Sequence, residues 1–184
     1  MKCADLISFK ESDLKSLFEA AKVDKTRFPS EKHEGSARHA MQNYLQVELS
    51  RVSAISAGGA NFSQQGFKSK VIGDNENEFV VTGTNFIVTF AGNETDTDEP
   101  LVIVANYDTD QNEENPIDDN GSGIVGLLAL SSALAQQVSQ KKVQLKHSIV
   151  FAAVDVSMYK YVSKLRSLKP SKCFVLHFSL QLQL

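Results

Sequence analysis

Tryptophan is absent from the 184 residues, proline occurs four times and cysteine twice. Cys3 and Cys173 are too few for a disulfide framework, and neither belongs to a Cys-x-x-Cys pair. Long apolar runs are scarce too, and none reads as a membrane span. The opening "MKCADLISFKESDLK" turns charged before any stretch that would serve as a signal peptide. No basic stripe with interleaved aromatics appears; the 19 Lys and Arg are scattered and the net charge is -3, so no nucleic-acid partner is expected. With 42% hydrophobic residues, the composition fits one globular domain over residues 1–184, with helices in 8–51 and a sheet core in 67–184.

Positive charge is missing most sharply from residues 94–119, which hold ten Asp and Glu and no Lys or Arg. Such a window attracts cations and repels phosphate; a pair of solvated loops has the same composition. Three Asn-x-Ser/Thr triplets, at Asn61, Asn93 and Asn120, would matter only in a secreted chain.

What is present reads as helices followed by strands. "SFKESDLKSLFEAAK" has a capping-box pair, Ser8 and Glu11, and one apolar stripe of Leu14, Leu17, Phe18 and Ala21. A second helix is expected over roughly residues 31–51, capped by Ser30, with Ala37, Met41, Leu45 and Leu49 facing the core. His33 and His39 lie off that stripe and read as solvated. "SAGGANFSQQG" looks like a loop turning at Gly58-Gly59, after which "FKSKVIG", "FVVTG" and "NFIVTFAG" are strand candidates. "LVIVANY" and "QLKHSIVFAAV" are nearly continuous apolar strands of the kind covered on both faces, and "GSGIVGLLALSSALAQQV" between them is a buried helix. A short helical piece, "MYKYVSKLRSLK", and a last strand in "KCFVLHFSLQLQL" follow. This order predicts a three-layer α/β/α sandwich with a mostly parallel mixed sheet.

Ligands of such sheets bind beyond the carboxyl ends of strands. Asn106, Tyr107, Asp108 and Asp110 lie at the end of one strand, and Asp118, Asp119 and Asn120 at the start of the next helix. Carboxylates so close repel unless something positive separates them. "NPIDDNGSG" offers no lysine for a phosphate loop and lacks the spacing of a Ca2+ loop. Asp119 or Asn120 can instead cap the helix, and Asp118 reads as an outer carboxylate. Asp155 ends the second apolar strand on the same edge, whereas His147 begins it at the other.

"VANYDT…NPIDDNGSGIVGLLALSSALA" followed by "HSIVFAAVD" resembles the core of the M28 zinc aminopeptidases, a likeness carried by residues 101–155. The resemblance implies two zinc ions, a strand-end histidine ligand at the place of Asn106, and Asp108 as the carboxylate that orients it. Asp119 falls on the bridging ligand, Ser157 on the general base, Met158 on a glutamate ligand and, more loosely, His177 on an aspartate ligand. No intact catalytic set is therefore expected, and this chain is expected to hold no zinc, or one weakly bound divalent cation among Asp108, Asp110, Asp118 and Asp119, with His177 or Asp155 as a further ligand. Losing the base alone removes about two to four decades of rate.

The leading expectation is an inactive metallopeptidase-like domain. A truncated or splice-variant zinc aminopeptidase and an acidic-loop Ca/Mg or protein-interaction module remain alternatives. The last strand stops without cover, so self-association or a protein partner through residues 173–184 is expected. The resemblance leans toward a secreted or lysosomal setting.

Overall fold

The computed structural model describes residues 11–22, 24–27, 36–72, 78–94, 98–109, 114–155 and 174–177. Helices α1 (Glu11–Ala21) and α2 (Ala37–Ile55) precede a hairpin of β1 (Ala60–Ile72) and β2 (Glu78–Phe90). Strand β3 (Leu101–Asn106) leads through a π-helical turn (Ile117–Gly121) into α3 (Ser122–Ser139). Strands β4 (Ile149–Val154) and β5 (Phe174–His177) follow, and the sheet order is β1-β2-β4-β3-β5.

The sheet is mixed, but the expectation that it is mostly parallel is overturned. β1 and β2 pair antiparallel along all 13 residues of each strand, and β2 is antiparallel to β4. β3 runs parallel to β4 and to β5 over much shorter ladders. The error has a physical source. The two apolar strands do pair in parallel around α3, but about half of β1 lay hidden in "ANFSQQG". That segment belongs to an edge strand, and its exposed positions are Asn61, Ser63, Gln64 and Gly66. The turn before it is confined to residues 56–59, where Ala57 and Gly58 take φ of 53° and 91°.

All three helices contribute to one core. Leu14, Leu17 and Phe18 of α1, Met41, Leu45 and Leu49 of α2, and Ile124 and Leu127 of α3 pack with Phe86, Val88, Phe90, Ile103 and Phe151. The alternate strand residues Ile87, Val102, Val104, Val150, Ala152 and Val154 form a second buried cluster. Both faces of β3 and β4 are thus withdrawn from water, as their continuous apolar sequence implied. The short helical piece expected at 158–169 lies outside the described residues.

Helix α2 starts later than its sequence suggested. Ser36, in extended conformation, caps it by accepting the His39 N–H at 3.2 Å. Ser36 stands directly before Ala37 as the cap, and Ser30, where the cap was expected, lies outside the described residues. The buried stripe then runs Met41, Leu45, Leu49, Val52. Helix α3 is apolar and long enough to cross a membrane, unlike the reading from its sequence, but it is largely buried in this core.

Candidate site at the carboxyl edge of the sheet

β3 and β4 end side by side, with Asn106 paired to Val154 in register, so Asn106, Tyr107, Asp108 and Asp155 meet at one edge. Asp108 and Asp155 are completely buried, and Asn106 nearly so. A π-helical turn delivers the start of α3 to the same edge. Such turns widen a helix locally and re-aim its side chains.

The amides are tied to each other. Asn120 Nδ2 donates to Asn106 Oδ1 at 3.0 Å, and Asn106 Nδ2 donates to the Asp108 carbonyl at 3.1 Å. Asn120 Oδ1 in turn accepts the Gly123 N–H at 3.1 Å and caps the first turn of α3. Gly123 has to be glycine here, because a Cβ would collide with the Asn120 amide. The capping role anticipated for Asp119 or Asn120 belongs to Asn120.

Positive charge reaches the acidic edge from far away in sequence. Arg38 of α2 clasps Asp155 with two bonds, Nε to Oδ1 at 3.2 Å and Nη2 to Oδ2 at 2.6 Å. Gln42 Nε2 and the Thr84 N–H also donate to Asp155 Oδ2, at 3.3 and 3.0 Å. The Asp155 N–H bonds Asn85 Oδ1, and the Tyr107 hydroxyl donates to the Thr84 carbonyl at 2.7 Å while accepting from Gln42. Burial works against the Arg38 charge. The Asp155 carboxylate outweighs it, with Tyr107 and Asp108 adding, and holds Arg38 above its usual range. Burial, reinforced by Asp155, pushes the Tyr107 hydroxyl well above the ordinary tyrosine range.

A second arginine locks the loop after β3. Arg27 is fully buried and donates from Nε to the Tyr107 carbonyl at 2.6 Å, from Nη2 to the Pro116 carbonyl at 3.1 Å, and from Nη1 to the Lys25 carbonyl at 2.6 Å. Its backbone completes the clamp, bonding Thr109 Oγ1 through N–H and the Thr109 N–H through C=O. Two guanidinium groups thus occupy an edge that, read as a window of acids, called for a cation.

The remaining candidates are not all gathered. Asp118 is exposed and accepts from Asn115 Nδ2 at 2.7 Å, an outer position as expected. Asp119 lies in the π-helical turn and His177 ends β5; only their backbone placement is described. Asp110, Ser157 and Met158 lie outside the described residues. Among the described residues, no group of three or more His, Cys, Asp and Glu could hold a metal ion. The sequence reading missed Arg27, Arg38, Gln42 and Asn85. For Arg38 and Gln42 a signal existed, since they stand four apart and Arg38 lies one turn before Met41 on the core stripe.

Residues 85–156, from the middle of β2 to just past Asp155, match the model of peptidase family M28. The chain is similar to that family over this stretch, which is less than half of its length. Among the described residues the chain shows no intact metal-binding group. No curated protein sequence matches it. Its fold is similar to that of Porphyromonas gingivalis glutaminyl cyclase, at 20% identity and a TM-score of 0.57, over 82% of this chain and 46% of that one. Macrostomum lignano glutaminyl cyclase gives 16% and 0.54 over 82% and 43%. A Zn-dependent exopeptidase from Parabacteroides distasonis gives 21% and 0.51 over 81% and 47%. The M28-like chain thus spans about half the length of these structures.

Proposed function

We propose that this M28-like domain binds rather than hydrolyses. The carrying observation is the amide pair at the end of β3. Asn106 stands where the family resemblance implies a histidine ligand, and both ends of its amide are already used, toward Asn120 and the Asp108 carbonyl. A neutral amide so engaged is a poor partner for zinc, which prefers imidazole, thiolate or carboxylate. Asp155 is likewise spent on Arg38. Two-metal hydrolysis requires an open cation pair and a base within reach of the bound water. Serine at 157 and methionine at 158, the places the resemblance assigns to the base and a ligand, supply neither.

The test is metal content together with hydrolysis of a panel of aminoacyl amide reporters. After supply of zinc and desalting, the chain is expected to retain no stoichiometric metal and to release no product above background. Metal-dependent release that disappears in Asp119→Ala would overturn the reading.

We also propose self-association, or a protein partner, through residues 173–184. β5 stands at one end of the sheet order with β3 as its single neighbour among the described strands, which supports this. Sedimentation is expected to show dimers that weaken when Val175 is replaced by proline, which cannot donate to a ladder. An extracellular setting fits the bacterial exopeptidase likeness, and a lysosomal one has no separate support.

A further inference from the structure

β2 is longer than its neighbour β4. Its register with β4 covers residues 86–90, whereas residues 78–85 run on past Asp155 with β1 along one side. Backbone groups of a strand alternate between its two edges. The even-numbered residues of this overhang turn theirs away from β1. The Thr84 N–H meets Asp155, the Thr84 carbonyl accepts from Tyr107, and the Thr82 carbonyl accepts from Arg38 Nη2 at 3.1 Å. Side chains therefore occupy the three groups nearest the sheet. The next three outward, the Thr82 N–H and the N–H and C=O of Val80, have no partner among the described residues. Thr82 is exposed, and Val80 is 42% exposed.

Beside this open edge lies a groove of ≈ 270 Å³ lined by Arg38, Gln42, Thr82, Gly83 and Thr84. Arg38 uses Nε and Nη2 on Asp155 and Thr82, and among the described residues no hydrogen bond falls to its Nη1. The unspent groups are thus a guanidinium nitrogen and one backbone N–H at the inner end of the groove, and a donor–acceptor pair one step further out.

We propose that this edge takes the C-terminal end of an extended peptide, laid parallel to β2. In a parallel ladder one residue bonds to two alternate residues of its partner. The Val80 N–H would donate to the carbonyl of the peptide's antepenultimate residue, and the Val80 carbonyl would accept the N–H of its last residue. The terminal carboxylate would then accept the Thr82 N–H and lie against Arg38 Nη1. Main-chain bonds supply affinity in such strand addition, and capture of a terminal carboxylate fixes the register. The proposal deepens the reading of the domain as a binder but needs no statement about metal.

Fluorescence anisotropy with three labelled hexapeptides of unrelated side chains, each ending in a free carboxylate, tests it. All three are expected to bind the full chain, and C-terminal amidation to weaken each about tenfold, the loss of one charge-assisted bond. N-methylation of the last amide should cost about as much, and N-methylation of the penultimate amide, which points away, should cost nothing. Thr82→Pro removes the receiving N–H at an edge position that tolerates proline and should give a similar loss. The peptide modifications report on the same contacts without altering the protein. Absence of binding at 1 mM, or affinity unchanged by amidation and by methylation of the last amide, would overturn the proposal. Peptide binding alongside stoichiometric zinc would sink the inactive-enzyme reading and leave this one standing; failure to bind in a metal-free chain would do the reverse.

Discussion

At the carboxyl ends of β3 and β4, Asp108 and Asp155 are fully buried, and Arg38 clasps Asp155. At their amino ends, Glu94 and Asp98 keep side-chain exposures of 38% and 26% beside Lys146 and His147. Both ends gather carboxylates and cations, but at very different depths. Arg38 approaches Asp155 to 2.6 Å through two bonds with both side chains nearly buried, whereas Lys146 stands 3.3 Å from Glu94 with most of its side chain in water. Burial decides what these pairs do. The inner pair is costly to break because neither charge can return to water, and the outer one is close to neutral because water replaces whichever partner is lost.

Removing the inner cation sharpens the contrast most. Arg38→Met leaves Asp155 buried without its partner, and unfolding free energy is expected to fall by about 3–5 kcal/mol. Urea titration at pH 7 measures it. A loss below 1 kcal/mol would mean that Asp155 finds water or another donor, and the two ends would no longer differ in kind.

Tyr107 gives a middle-sized effect with a defined pH signature. Tyr107→Phe deletes the bond to the Thr84 carbonyl and the one from Gln42, a loss of about 1–2 kcal/mol near neutrality. The native hydroxyl is raised well above 10.0, so between that value and the raised one the unfolded chain has lost a proton that the native chain keeps. Stability therefore falls as pH rises above 10, having been full below it. In Tyr107→Phe this alkaline decline should flatten, read from urea midpoints between pH 8 and 11.

This network was hard to read in the sequence for a reason the arginines make plain. The apolar strands, the helix between them and the carboxylates at their ends were legible, because periodicity and local composition are properties of neighbouring residues. Arg38 and Asp155 are 117 residues apart, and Arg27 reaches across 80 residues to Tyr107. A window free of Lys and Arg was therefore no guide to the charge the folded edge contains. The same limit hid the long hairpin. "ANFSQQG" carries no apolar alternation strong enough to declare a strand, and β2 imposes that state on it through thirteen residues of ladder. Asn106, in contrast, was informative from its type alone, since the family resemblance implies an imidazole at that place and an amide is a poor zinc donor whatever surrounds it.

The smallest effect belongs to the outer end. Asp98 accepts the Ser148 N–H at 2.8 Å, and its carboxyl is held below its ordinary 3.8 by Ser148 against a modest desolvation, with His147 helping. A depressed carboxyl stabilises the fold above its unfolded pKa and loses that contribution as pH falls through the folded one. Asp98→Asn should cost no more than about 0.5 kcal/mol at pH 7, because solvent screens the group. As pH falls below 3.8 and through the depressed native value, variant and parent should converge, as both then carry a neutral side chain at 98. A loss at Asp98 approaching that at Arg38, or one that persists undiminished at pH 3, would show that the outer carboxylate is held as tightly by its partners as the inner one, and exposure would then be the wrong explanation for the difference between the two ends.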